Sequence, residues 1–272
     1  MIGVFSDMDV VGIISTNDGH VRGVTSVDDE LFVLLDRDDN QVAVYNINDY
    51  KRLRHLHLPG LNRHIYNDMT SCTRHKCLYV SNNSSKCIHR FDLSSSEVCE
   101  WSVPGTPRGL SVTPNCNLLV TCGGQTSKLV ELSAESGQCV HKIELQSDIE
   151  SLWHAVKLTS GQFVICHGIW DRDLHRVCLV DEEGKVTLSY GGQHGSDIGE
   201  LSCPYYLAVD ENSQFMFVAD NCNHRVVFLS PTLEFVRYIS DELRHPYRLH
   251  FHHTTRRLYV GLQGNCVVVI QL

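Results

Sequence analysis

The chain has 272 residues, of which 42% are hydrophobic and 20% charged, with a formal net charge of −9. That length buries a substantial core, and no apolar run is long enough to cross a bilayer as a helix, so no membrane partner is expected. The acidic balance excludes broad, nonspecific attraction to phosphate backbones, which needs many Lys and Arg to displace counterions.

The amino-terminal stretch MIGVFSDMDVVGIIS has no basic n-region, and Asp7 and Asp9 stand where an apolar h-region would lie. No secretory leader is expected from such a sequence. None of the twelve cysteines belongs to a CxxC pair. Cys87, Cys99, Cys139, Cys178 and Cys266 fall in or beside apolar strand-like runs, and they read as reduced, packed thiols of a cytoplasmic protein.

The first strand-like run is VVGIIS, residues 10–15. Six similar texts follow in chain order: LFVLLDRDDNQVAVYN, KCLYVSNNSSKCIHRFDL, NLLVTCGGQTSKLVELS, QFVICHGIWDRDLHRVCLV, QFMFVADNCNHRVVFLS and RLYVGLQGNCVVVIQL. Anchored on Leu34, Val80, Val120, Ile165, Val218 and Val260, they recur at spacings of 46, 40, 45, 53 and 42 residues. Each has an earlier apolar run, such as PRGLSV or PYYLAV, and most have a later one, such as EFVRYI. Short runs rich in Val, Ile, Leu, Phe and Tyr, divided by Asn, Asp, Gly and Ser, are strands joined by tight turns. No ten-residue stretch shows a 3.6 period, so helices should be almost absent.

A four-stranded sheet cannot bury its own faces, and stacking such sheets around an axis does so. The expected fold is all-β, a six-bladed β-propeller with four antiparallel strands per blade. Its blades run at about 21–61, 62–105, 106–147, 148–192, 199–240 and 241–272. The last copy has only three strands, so residues 10–15 should complete it and tie both ends of the chain into a single domain.

Residues 192–231, GQHGSDIGELSCPYYLAVDENSQFMFVADNCNHRVVFLSP, resemble an NHL repeat through Gly199, Pro204, LAVD at 207–210, VAD at 218–220, Asn223 and Arg225 with Val226. Asp36 is matched to Asp220, Asn265 to Asn223, and Arg176 with Val177 to the Arg-Val pair. The resemblance to NHL-repeat propellers, as found in tripartite-motif proteins, implies a noncatalytic recognition or scaffold module. It also implies a substrate-recruiting role within a larger ubiquitin-ligase-type protein with RING, B-box and coiled-coil segments. Some members bind single-stranded RNA, which is the alternative function.

Residues just before each innermost strand crowd one mouth of a propeller channel. Counting 12, 12, 12, 11, 13 and 13 residues back from the anchors gives Arg22, Asp68, Arg108, His154, Tyr205 and Tyr247. Arg and Tyr are the side chains most used as binding anchors, which points to a protein or peptide partner on this face. Arg37, Lys86, Lys128, Arg172, His224 and Arg225 are expected on its rim. If the hub is scaffold only, Arg22, Asp68 and Arg108 neutralise one another. Acidic turns at 28–30, 135–137 and 181–184 should form a plain solvated surface on the opposite face.

Related six-bladed propellers include zinc lyases and calcium-dependent lactone hydrolases. Three converging His or Cys ligands are wanted for such zinc, and only His154 stands in the expected ring, so no catalytic metal or other cofactor is expected. No GxSxG elbow supports a serine hydrolase.

Overall fold

The computed structural model describes residues 8–16, 19–36, 41–58, 66–123, 126–168, 174–239 and 243–272, except for the side chains of Tyr66 and Asn67. Six four-stranded antiparallel sheets stand in a ring. Blade one holds β2 (His20–Val27), β3 (Glu30–Asp36), β4 (Gln41–Asn46) and β5 (Arg52–His57). Blade two holds β6 (Tyr66–Cys72), β7 (Cys77–Asn82), β8 (Cys87–Asp92) and β9 (Val98–Ser102). Blade three holds β10 (Thr106–Val112), β11 (Leu118–Gly123), β12 (Lys128–Leu132) and β13 (Cys139–Glu144). Blade four holds β14 (Leu152–Lys157), β15 (Phe163–His167), β16 (Arg176–Val180) and β17 (Val186–Gly191). Blade five holds β18 (Pro204–Val209), β19 (Met216–Asp220), β20 (Arg225–Leu229) and β21 (Phe235–Ile239). Blade six holds β22 (Pro246–His252), β23 (Arg257–Leu262), β24 (Cys266–Gln271) and, from the other end of the chain, β1 (Asp9–Ser15). The one helical segment among the described residues is a 3-10 turn at Asn221–Asn223.

The closing strand is placed as the repeat count required. β1 pairs antiparallel with β24 from Asp9 opposite Gln271 to Ser15 opposite Cys266. The Thr16 amide extends this clasp by donating to the Asn265 carbonyl at 2.7 Å.

The core is divided into six apolar wedges, one between each pair of neighbouring blades. Strand periodicity of two explains the unbroken apolar runs of the second and third strands, because both faces of each sheet are covered. In β19, Phe217 and Ala219 enter the wedge with blade six, while Met216 and Val218 enter the wedge with blade four. The cysteines divide by the same rule. All twelve are free; Cys87 and Cys178 are buried, but Cys99 and Cys139, on the outermost strands β9 and β13, are exposed rather than packed.

One irregularity recurs in every blade and positions the hub. Each innermost strand shifts register against its neighbour by one inserted residue near its start. The bulge residues are Arg22, Asn67, Arg108, Trp153, Tyr205 and Tyr247, and the residues after them are Gly23, Asp68, Gly109, His154, Tyr206 and Arg248. Bulges bend a strand and re-aim its side chains, which suits the crowded axis. In blade one this register makes Val33, not Leu34, the equivalent of Val218. Asp36 therefore lies one residue beyond the position of Asp220, which Leu35 occupies.

Candidate functional site

The bulges sort the six hub residues into two tiers. Arg22, Arg108, Tyr205 and Tyr247 are bulge residues at the mouth. Asp68 and His154 belong to the next tier, where they meet two residues absent from the sequence-derived set, Tyr206 and Arg248.

This inner tier plugs the channel. Asp68, His154, Tyr206 and Arg248 are all buried. Arg248 Nε lies 3.2 Å from Asp68 Oδ1. The Tyr206 hydroxyl reaches across the channel to donate to Asp68 Oδ2 at 3.0 Å, and the Leu110 amide donates to the same oxygen at 2.8 Å. The His154 ring stacks on Tyr206 with centroids 3.7 Å apart. The remaining places are taken by Gly23 and Gly109, where a Cβ would stand 2.6 Å from Met69 Cβ and 2.4 Å from the Trp153 carbonyl oxygen. Only glycine lets the backbones approach that closely.

Burial dominates the electrostatics of the plug. It pushes the Asp68 carboxyl up to about 6, against the opposing pull of Arg248, the Leu110 amide and Tyr206. It pushes His154 down to about 3, so this imidazole is neutral. His154 Nε2 lies 3.0 Å from the Leu110 carbonyl and must donate to it, which leaves the lone pair on Nδ1. That buried Nδ1 has no hydrogen-bond partner.

Above the plug, the mouth carries a continuous arc of rings and guanidinium groups through blades three, four, five, six and one. Arg108 lies over Trp153 at 5.0 Å, and Trp153 meets Tyr205 edge-on at 4.6 Å. Tyr205 meets Tyr247 edge-on at 5.3 Å, and Arg22 lies over Tyr247 at 6.0 Å. The two arginines differ in their charge compensation. Arg22 is paired with Asp36 at 2.6 Å, whereas Arg108 has no carboxylate partner among the described residues and spends one N–H on the Leu152 carbonyl at 3.3 Å. Burial holds Arg108 below the usual guanidinium range. The neighbouring Trp153 Nε1 is likewise buried without an acceptor. Arg22, Asp68 and Arg108 thus do not neutralise one another, since Asp36 serves the first and Arg248 the second.

The residues expected on the rim differ in their surroundings. Lys86 and His224 are exposed, and His224 packs edge-on against His245 at 4.1 Å. Lys128 lies 3.5 Å from Glu144. Arg225 is buried and committed to its own blade, with Asp220 at 2.7 Å, the Ser196 carbonyl at 2.6 Å and the Tyr238 ring at 4.0 Å. Arg37 and Arg172 lie outside the described residues.

The opposite face is more than a plain surface. A cavity of about 800 Å3 opens there, floored by His154 and Tyr206 and walled by the later halves of the innermost strands; Asp28 and Asp29 stand at its edge. Ser26 Oγ and His250 Nε2 lie 2.7 Å apart on its wall. Burial first, then His252 and His253, push His250 down to about 3, far too weak a base for serine activation at neutral pH. This pair bridges blades one and six as a buried polar link.

Trp153, Tyr206 and Arg248 each stand one residue from a position of the expected ring, and the bulge that separates them shifts register without marking the composition.

No protein-family model matches this chain, and no curated protein matches it in sequence. Solved structures match it as a β-propeller. A streptogramin B lyase is 10% identical, with a TM-score of 0.67 over 96% of this chain and 97% of the lyase. Hydrazine synthase from Kuenenia stuttgartiensis is 14% identical, with a TM-score of 0.67 over 92% of this chain and 83% of that one. A protein of unknown function from Bacteroides caccae is 17% identical, with a TM-score of 0.65 over 86% and 82%. Likeness at such identities carries the fold alone.

Proposed function

We propose that this propeller is a noncatalytic recognition module that binds a protein or peptide at the channel mouth, with Arg108 receiving a carboxylate of the partner. The observation that carries this reading is the Arg108–Trp153–Tyr205–Tyr247–Arg22 arc, in which one guanidinium has no carboxylate partner among the described residues. A desolvated arginine braced over an indole is preorganised to take an acidic group bidentately, and the tyrosines offer rigid amphipathic contact area. The NHL resemblance supports the same reading and adds substrate recruitment for a larger ligase-type protein. The free thiols suit a cytoplasmic setting.

An axial catalytic metal is disfavoured by what the plug residues already do. Asp68 is engaged by Arg248, Tyr206 and Leu110, and among the described residues the plug offers one imidazole. Single-stranded RNA is the second reading, favoured by the alternation of guanidinium and ring, since bases stack on such platforms. The net charge of −9 opposes it.

The test is capture from native lysate, with and without nuclease, followed by titration of the captured partner. Arg108→Ala should weaken binding about tenfold or more while leaving the melting temperature unchanged, and Arg225→Ala should instead destabilise the fold. Equal affinity of wild type and Arg108→Ala would remove the mouth from the account. Nuclease-sensitive capture with affinity falling steeply in salt would transfer it to RNA.

A further inference from the structure

We propose that blade two holds a zinc ion away from the central channel, bound by Cys87, His89 and Glu100. β8 places Cys87 and His89 two residues apart on one face of its sheet. Glu100 on β9 is the cross-strand partner of His89, and Asn82 on β7 is the partner of Cys87. The three donor atoms lie within 4.8 Å of one another. Cys87 Sγ and His89 Nε2 are 3.6 Å apart. A tetrahedral zinc with S at about 2.3 Å and N at about 2.0 Å sets its two ligand atoms about 3.5 Å apart, so this pair already has the required spacing.

Hydrogen bonds orient the donor atoms. The Ser85 amide donates to Asn82 Oδ1 at 3.1 Å, which fixes the amide so that Nδ2 faces His89 Nε2 at 3.4 Å. Nε2 is then an acceptor, and an ion would take the place of the Asn82 N–H on its one lone pair. Cys87 and His89 are buried, while Glu100 is exposed and has the freedom to close on an ion. The ligand is a thiolate, so binding must release the proton of the Cys87 thiol. The chemical class is a borderline-soft divalent cation: one thiolate, one imidazole and one carboxylate fit zinc and leave its fourth position for water.

Metal-stripped full-length chain titrated with Co2+ tests this. One equivalent should produce the thiolate-to-cobalt charge-transfer band together with tetrahedral visible bands, and Zn2+ should displace it. Cys87→Ser should abolish the charge-transfer band, and Glu100→Gln should weaken Co2+ binding about tenfold or more. Glu100 is exposed, so its variant keeps the fold and decides the matter even if Cys87→Ser unfolds. Failure to bind one equivalent, or binding unchanged in Glu100→Gln, would overturn the site and reduce the Cys87–His89 contact to a thiol–imidazole hydrogen bond.

Discussion

Asp68 and Arg248 are buried charges whose value to the fold lies in their pairing. Removing one partner strands the other in a low dielectric, whereas replacing both with apolar groups removes the desolvation cost as well. Asp68→Ala should therefore cost about 3–5 kcal/mol in denaturant unfolding, and Asp68→Leu combined with Arg248→Met should recover most of it. The same plug makes stability depend on pH in two opposed ways. His154 is pushed down to about 3, so below its ordinary pKa the unfolded chain takes up a proton that the folded chain refuses. Its stabilising contribution is complete above that ordinary value and is lost as pH falls toward 3. Asp68, raised to about 6, protonates first in the folded state and so adds stability as pH falls through 6 toward the usual carboxylate range. Each proton of difference is worth about 1.4 kcal/mol per pH unit. His250, also held at about 3, adds its loss to that of His154, so two histidines outweigh one aspartate and wild type weakens on acidification. His154→Phe should flatten the loss by about one proton's slope, about 1.4 kcal/mol per pH unit, between pH 6 and 4. Urea unfolding at a series of pH values reads that slope directly.

At the scale of elements, the strands were legible, the innermost ones such as PRGLSV (β10) and PYYLAV (β18) included, and the bulge inside each innermost strand was not. Alternating apolar runs with turn residues between them announced second and third strands such as β19 and β20, because both faces of those strands are buried and their text is apolar apart from Asp220 and Arg225 at their ends. The missing fourth strand of blade six was legible by counting alone. The bulge was invisible to the same reading, since an inserted residue leaves composition unchanged and shifts only the register. Its effect was to draw Asp68 and His154 from one tier and Arg22, Arg108, Tyr205 and Tyr247 from another. Trp153, Tyr206 and Arg248 fell between. The anchor of blade one slipped from Val33 to Leu34 for a related reason: LFVLL is apolar at every position and carries no phase. The clasp itself gives an element-scale prediction. Deleting residues 1–15 removes Ile14 from the wedge between blades six and one and bares the edge of β24. An exposed apolar edge strand invites association. The truncated chain should melt on the order of 10 °C lower and aggregate, and a synthetic peptide of residues 8–16 should restore much of the loss. A truncation with unaltered melting would mean that the wedge, without its outer strand, is sufficient.

For the whole molecule, the question is what holds a closed ring shut. Five blades are each continuous in sequence, so separating them breaks the apolar wedges and side-chain hydrogen bonds between neighbours but no strand pairing. Blade six alone is built from both ends of the chain, and opening the ring beside it also requires stripping β1 from β24. Asp9 stands opposite Gln271, so a short turn after Leu272 can lead into residue 8 and make all four strands of blade six continuous. A circular permutant that begins at Gly19 and ends at Thr16 keeps every strand pair while removing the clasp. Its remaining closure between blades six and one is the wedge of Val21, Val24, Leu31 and Val33 against Tyr259, Val267 and Val269. Arg248 also donates to the Arg22 carbonyl across this seam at 2.7 Å. The permutant should fold, because every wedge survives, yet its amides in β2 and β22 should exchange with solvent hydrogen faster than those of β14, which lies across the ring. In wild type the two sites should exchange alike. If the permutant shows the same uniform protection, closure resides in the wedges alone and the shared blade is a consequence of where the chain begins; if the asymmetry appears, the clasp keeps the ring from opening at its one seam.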